Sequence, residues 1–578
     1  MIARTPRTAR VTRLLSSILA IAIIISVSPA ARADAARPAV AARPAVAHKG
    51  AIASAYPLAS EAGQEILKEG GNAFDAAVAV AAALAVVEPS SSGLGGGGFF
   101  LLHRQSDGFE TMLDAREKAP GAATRDMYLD KAGNVTRGST DGPISAAIPG
   151  EPAAFEYLAR KYGKLPLKQS LQPAIRLARE GFPLYLRLQY GIKAKRDILT
   201  RSPDAAKAFL TADGNVPEIG AIIKQPELAN TLEAIAAQGA KGFYEGRVAQ
   251  NLVAGVRAGG GIWTLEDLKN YRVVERKPLI GEFHGARIVT APPPSSGGIA
   301  VLDSLNILAG FDLHDVDSAT RKHFIVEAMR RAYRDRAIFL GDPDFIKMPL
   351  QQLMSIDYAA GQRSSIRADK AMPSDLLPGI ESEPKGMNTT HFSVLDADGN
   401  RAAVTITVNL FFGNGYMPAG TGVLLNNEMD DFSVKPGTPN VFGLIGNTAN
   451  AIAPNKRSLS SMSPTFVETS KGMMVIGSPG GSTIISQVLL GVLNYVDGMN
   501  AADIVKYPHY HHQYLPDEIG YEQGALSEDE IAKLQSMGHK LRLSNRQWGN
   551  MQVITWDFAS GKVEAASDPR GEGEGLVY

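Results

Sequence analysis

Asn388-Thr389-Thr390-His391 and, about one β-hairpin later, Thr407 and Asn409 bring together hydroxyl and amide groups that could serve a nucleophile made by cutting the chain. A threonine hydroxyl is a weak nucleophile and needs a base. A threonine at a new chain end carries its own, because the freed α-amino group titrates at roughly 7.7 to 8.0. The hairpin follows from residue types. His391 to Asp396 and Arg401 to Val408 are rich in β-formers, and Asp398-Gly399 between them is a turn signal. With those two residues at the turn centre, Thr389 faces Val408 and is flanked by Thr407 and Asn409. A register shifted by one residue still leaves a hydroxyl and an amide beside Thr389. An isolated Asn-Thr-Thr is also what a polar loop entering a strand looks like, so the surrounding residues must decide.

Two glycine loops point in opposite directions. Gly93-Leu-Gly95-Gly-Gly-Gly98 satisfies the dinucleotide pattern, yet it leads into Phe99-Phe-Leu-Leu-His103, a strand, where a pyrophosphate would need a helix N-terminus. Nucleotide binding is excluded on that ground. Gly477-Ser-Pro-Gly480-Gly481-Ser482 instead runs into a helix starting near Thr483, and backbone N–H groups there could hold an oxyanion. A plain turn has the same composition. Arg116 could grip a carboxylate through its planar fork, although beside Asp114 and Glu117 it also reads as a surface ion pair. Asn426-Asn-Glu428-Met-Asp-Asp431 is either a set of cation acceptors or a solvated acidic turn. His509, His511 and His512 lack a matching acidic or thiolate partner nearby in sequence and read as structural, with no metal expected.

These residues sit inside a longer likeness. Asn388-Thr-Thr-His391, Thr407-Val-Asn409, Leu425-Asn-Asn-Glu428-Met-Asp-Asp431-Phe-Ser433, Pro454-Asn-Lys-Arg457, Leu459-Ser-Ser-Met-Ser-Pro464 and Gly477 to Ser482 carry it in the last third. Upstream it continues through Gly70-Gly71-Asn72-Ala73, Gly93 to Phe99, Asp114-Ala-Arg116-Glu117 and Pro292 to Gly298. From about residue 48 to the C-terminus the chain resembles the γ-glutamyltransferase (γ-glutamyltranspeptidase) family of N-terminal-nucleophile hydrolases. The resemblance implies an α+β fold, a four-layer αββα sandwich with a mainly helical portion in the large subunit. It implies self-cleavage between Asn388 and Thr389 into a large subunit (48–388) and a small one (389–578) that stay together as a heterodimer. Thr389 is then the nucleophile, Thr407 orients it, and Gly480 and Gly481 form the oxyanion hole. Arg116, Ser460 and Ser461 contact the substrate α-carboxylate, and Asn409, Glu428 and Asp431 its α-ammonium. The implied activity is γ-glutamyl transfer from glutathione and related compounds to water, amino acids or dipeptides, with no cofactor. Two alternatives remain on the sequence: a glutaryl-type β-lactam acylase on the same scaffold, which would have no α-ammonium to bind, and a non-catalytic periplasmic binding protein. The chain also departs from the bacterial pattern. Phe442 stands where tyrosine is common in the lid loop (Lys435 to Pro454), which removes a hydroxyl from Asn409 and loosens gating. Ala115 stands where phenylalanine is common, which reshapes the carboxylate pocket. His509 replaces an arginine, without an assignable consequence.

The elements that must hold these groups are legible in outline. Pro57 to Lys68 reads as a helix, and Asn72 caps a second, Ala73 to Val87, apolar on every side and therefore buried. Glu151 to Tyr162, Leu171 to Glu180 and Arg321 to Phe339 are further helices, so residues 150–380 read as mainly helical; residues 389–578 alternate strands with a helix at Thr483 to Tyr495. At 578 residues, with 59 basic and 59 acidic side chains, the chain exceeds one simple core and carries no charge excess that would suit nucleic acid. Residues 1–33 have the arginines, apolar stretch and Ala31-Arg-Ala33 site of a secretory signal, and 34–47 form a repetitive tether. Export is expected, read as periplasmic, and without a single cysteine the exported chain relies on its core alone.

Overall fold

The computed structural model describes residues 47–377 and 389–578; the signal, most of the tether and Asn388 lie outside the described residues. Two antiparallel sheets form the centre. The first runs, edge to edge, Glu574–Val577, Ala51–Ser54, Thr390–Leu395, Arg401–Thr407, Gly97–Arg104, Phe109–Ala115, Val274–Arg276. The second runs Val563–Ser567, Gln552–Asp557, Gly472–Gly477, Thr465–Glu468, Ala286–Thr290, Leu279–Phe283.

Strand alternation divides the core. Phe100, Leu102, Val404 and Ile406 point from the first sheet into a cluster with the Pro57–Lys68, Ala73–Val87, Gln172–Glu180 and Pro226–Gln238 helices. Phe99, Leu101 and Ala403 point the other way, against Phe466, Val475 and Ile554 of the second sheet. The Gly297–Leu308, Ser318–Phe339 and Ile484–Val496 helices complete that second cluster. Helices, sheet, sheet and helices thus form four layers, the αββα sandwich implied by the resemblance.

The Ala73–Val87 helix is buried at every position, as its uniform apolarity requires, and Asn72 caps it by accepting from Phe74 N at 2.9 Å and Asp75 N at 3.1 Å. Three expectations need correction. The 274–290 region of the helical portion contributes strands to both sheets. The last portion holds further helices, Ala501–Lys506 and Glu528–Ser536. The hairpin register is one residue from the first alignment: Thr390 pairs with Ile406, which sets Thr389 opposite Thr407. The turn is longer than an Asp-Gly pair because the Asp396 carboxylate accepts from Asp398 N at 3.0 Å, Asn400 N at 2.9 Å and Ala73 N at 2.9 Å, with Gly399 at φ +91°. That last bond ties the hairpin to the start of the buried helix.

Burial pulls His391 down to about 3, His511 to about 4, and His512 and His539 to about 3. Between those values and the ordinary 6.5 the unfolded chain binds more protons than the native one, so stability rises with pH across that window. It is complete above about pH 6.5 and is lost as pH falls toward 4. Each histidine contributes a slope of up to about 1.4 kcal/mol per pH unit. Urea unfolding at pH 7 and pH 5 should show this loss, and His391→Gln should shrink it; a profile identical in wild type and variant would refute the role of His391.

Candidate active site

Thr389 immediately precedes the Thr390–Leu395 strand and is buried. Opposite, Thr407 ends its strand, and its Oγ accepts from Asn409 N at 2.8 Å. Asn409 adopts a left-handed φ of +73°, which turns its side chain back so that Nδ2 donates to Asn427 O at 2.8 Å. The amide of Asn426 in turn accepts from Ala147 N at 3.0 Å and Glu428 N at 2.9 Å and donates to Gly95 O at 2.6 Å. The loop carrying Glu428 and Asp431 is therefore clamped to the end of the Thr390–Thr407 hairpin. It is not a solvated acidic turn, since Glu428 is 1 % exposed.

Gly95 belongs to the glycine run whose sequence context excludes nucleotide binding, and its neighbour Gly96 shows what the glycines do. A Cβ on Gly96 would lie 1.9 Å from Thr407 O, so the loop passes against the nucleophile hairpin where no side chain fits.

Arg116 is fully buried and faces the acids directly. Its Nη1 donates to Glu428 Oε1 and its Nη2 to Asp431 Oδ2, with Glu117 Oε2 at 3.4 Å from Nη1. Nε donates to Ser458 O at 3.3 Å. Burial pulls this guanidinium down, but Glu428, Glu117 and Asp431 together push it above its ordinary value. Burial raises Glu117 to about 7 and Glu428 well above the carboxylate range, with Arg116 offsetting part of each. The resemblance implies the cation and the acids at opposite ends of a ligand; in the structure they pair directly with one another.

Gly480 and Gly481 open a 3₁₀ turn that leads into the Ile484–Val496 helix. Their φ values of +139° and +58° lie where a side chain is strained. A Cβ on Gly481 would also lie 2.5 Å from the Phe442 ring. The lid residue thus rests on the loop, and the Asn409 amide is engaged by Asn427. Val441 N is held by Asp430 Oδ2 at 2.9 Å, and Asn440 Oδ1 accepts from Phe442 N at 3.0 Å and Leu444 N at 3.1 Å.

One cleft is lined by Arg116, Thr389, Thr407, Asn409, Glu428, Asp431, Phe442, Ser460, Ser461 and Gly481. Gly480 adjoins it in the loop. Ala115 is not in it: its methyl group packs in the helix-side core, so the exchange from phenylalanine changes packing behind the cleft and not the pocket wall. Sequence reasoning missed Arg336, Leu444, Met462 and Ile484, which also line the cleft. Arg336 lies in the run Arg330-Arg331-Ala-Tyr-Arg334-Asp-Arg336, whose charge density suggests a solvated helix face. The histidines have separate partners: His509 lies 3.4 Å from Glu522, His512 3.3 Å from Asp517, and His511 bonds Ser486 Oγ at 2.8 Å. The acids lie only five and thirteen residues downstream, Asp517 from His512 and Glu522 from His509, so the expected lack of a nearby acidic partner is corrected, and the fold distributes the three rings among three networks.

A buried threonine at a strand start, a hydroxyl opposite it, a glycine loop at a helix start and a charge-paired pocket define an N-terminal-nucleophile hydrolase site. The family model described as Gamma-glutamyltranspeptidase matches residues 59–578, and the chain belongs to that family. It is 43 % identical over 518 residues to the glutathione hydrolase proenzyme of Escherichia coli (strain K12), covering 89 % of each chain. It is 46 % identical over 500 residues to that of Pseudomonas sp. (strain A14), covering 84 % of this chain and 85 % of the relative. Among solved structures, a cephalosporin acylase from Bacillus halodurans superposes with a TM-score of 0.80 at 30 % identity, over 92 % of this chain and 96 % of that one. The Helicobacter pylori γ-glutamyltranspeptidase gives 0.55 at 41 % identity, over 56 % of this chain and 94 % of that one.

Removing Arg116 strands two buried acids, Glu117 and Glu428, and the partly exposed Asp431. Arg116→Met should cost about 3 to 5 kcal/mol near pH 8. The loss should shrink near pH 5, because Glu117 and Glu428, already shifted upward, take up protons and become neutral. Thermal unfolding of wild type and variant at both pH values checks this; a pH-independent loss would contradict the charge cluster.

Proposed function

We propose that this chain is a self-processing γ-glutamyltransferase with glutathione hydrolase activity, in which Thr389 acts twice. The reading is carried by the convergence of Thr389, Thr407, Gly481, Arg116, Glu428 and Asp431 on one cleft. In the precursor the Thr389 hydroxyl attacks the Asn388 carbonyl. The amide nitrogen of Thr389 departs as its own α-amino group, and water hydrolyses the resulting ester. The mature enzyme then has a base on the same residue as its nucleophile. Thr389 Oγ attacks the γ-carbonyl of a γ-glutamyl amide while the α-amino group, directly or through a water, takes its proton. The tetrahedral oxyanion is held by the N–H groups of Gly480 and Gly481. Collapse expels the amine with a proton and leaves a γ-glutamyl ester, which water or a second amine removes.

Thr407 is suited to orienting Thr389, since it lies directly opposite and its lone pair is already partly engaged by Asn409 N. A donor's α-ammonium would replace part of the Arg116 charge at Glu428 and Asp431, aided by Asn409, while Arg116, Ser460 and Ser461 receive its α-carboxylate. No helix among the described residues is long and apolar enough to cross a membrane. Export on the 1–33 signal, to the periplasm, completes the reading.

The acylase scaffold of the B. halodurans structure sustains a second reading, a glutaryl-type acylase. Glu428 and Asp431 argue against it, because a glutaryl group offers no ammonium to either. Thr389→Ala should yield one uncut chain without turnover, whereas wild type should show two bands, the smaller beginning at Thr389. Wild type should release a γ-glutamyl anilide faster than a glutaryl anilide. Processing and turnover in Thr389→Ala would remove the nucleophile assignment, and faster glutaryl release would remove the substrate assignment.

A further inference from the structure

Arg336, on the Ser318–Phe339 helix, is 5 % exposed and lines the same cleft as Thr389. Its Nε donates to Ser296 Oγ at 2.9 Å and its Nη2 to Ser461 Oγ at 3.3 Å. Arg116 is held by three acids, whereas Arg336 makes no ion pair among the described residues. Burial pulls its guanidinium down to about 10, which leaves it charged at neutral pH.

Each of these serine hydroxyls has one proton to give. Ser461 Oγ accepts from Arg336, and Ser460 Oγ accepts from Met462 N at 3.1 Å, so both are left as donors toward the cleft. Ser296 relays the same constraint: it accepts from Arg336 and donates to Ser460 O at 2.5 Å, while Ser296 N donates to that carbonyl at 2.8 Å. Two hydroxyls with a proton still to give, beside a cation that no acid contacts directly and only Asp431 acts on through space, suit an acceptor-only anion. An anion that relied on Arg116 alone would also face Glu428 and Asp431, which repel it.

We propose that Arg336 is a specificity-determining positioning residue of the donor site: it fixes Ser461, and through Ser296 the Ser460 segment, as hydrogen-bond donors to the donor's α-carboxylate, and adds a positive charge there that no acid pairs with directly. The proposal rests on the γ-glutamyl reading above and extends it to a residue outside the matched motifs.

The test compares γ-glutamyl p-nitroanilide with its α-carboxamide analogue, which keeps the ammonium and lacks the anion, on processed wild type, Arg336→Met and Arg336→Lys. Arg336→Met should raise KM for the carboxylate donor roughly 10- to 100-fold, the range expected for hydrogen bonds to a charged group. Its kcat should stay within about threefold, and kcat/KM for the carboxamide should barely change, so the preference between the two donors collapses. Arg336→Lys keeps the charge but loses the fork that reaches both serines, and should fall between wild type and Arg336→Met. If Arg336→Met does not fold, Arg336→Lys decides alone by the same selective rise in KM. Equal losses on both donors, or a fall in kcat at unchanged KM, would reduce Arg336 to a structural residue and overturn the proposal. Unchanged kinetics would overturn it too. A wild type that prefers the carboxamide would instead defeat the γ-glutamyl reading itself.

Discussion

The pairing of Thr390–Leu395 with Arg401–Thr407 is the constraint on which the chemistry depends. It is one register step that decides whether a threonine at the strand entrance faces a hydroxyl or an apolar side chain, because a shift by one residue sends every side chain to the opposite face. Burial on both faces of the strand pair holds that register. Phe392 and Val394 belong to one core, Leu395 and Ala403 to the other, and a slip would exchange them. Asp396 adds a polar lock at the turn by joining the hairpin to the helix start at Ala73.

Around that hairpin the cleft is arranged as two unequal cationic centres. Arg116 is paired with Glu428, Asp431 and Glu117; Arg336 is held by serine hydroxyls, with Asp431 acting on it only through space. A zwitterion fits such a field better than a simple anion or cation, because each of its ends finds a complement while the total charge of the pocket is unchanged. A covered charge cluster is stable only when its members stay paired, so the pairing of Arg116 with Glu428 and Asp431 also fixes the loop that carries the two acids.

Much of this was legible in the residues, for reasons that differ by element. The Ala73–Val87 helix declared itself because its apolarity has no gap, and the hairpin because β-formers flank a turn signal. The Thr389, Thr407 and glycine-loop positions came from motif likeness, and the fold sets Thr389, Thr407 and Gly481 together. Arg336 was hidden because a run of arginines and acids looks solvated in sequence, whereas Arg330, Arg331 and Arg336 are all buried, where they meet Glu327, Asp517 and serine hydroxyls from distant segments. The strands at 274–290 were hidden because runs of three to five residues carry little periodicity. Ala115 was misjudged because alternation, which decides between core and cleft, requires the strand's exact facing.

Ala51–Ser54 lies between Glu574–Val577 and Thr390–Leu395, hydrogen-bonded on both edges. A piece from one side of the proposed scissile bond is therefore an interior plank in a floor otherwise laid, at that point, from the other side. A cut between Asn388 and Thr389, as proposed, would free two ends but release no layer. Reassembly from separately made halves would mean prising open a finished sheet to slide that plank home, so this architecture favours a single polypeptide that folds first and is cut afterwards.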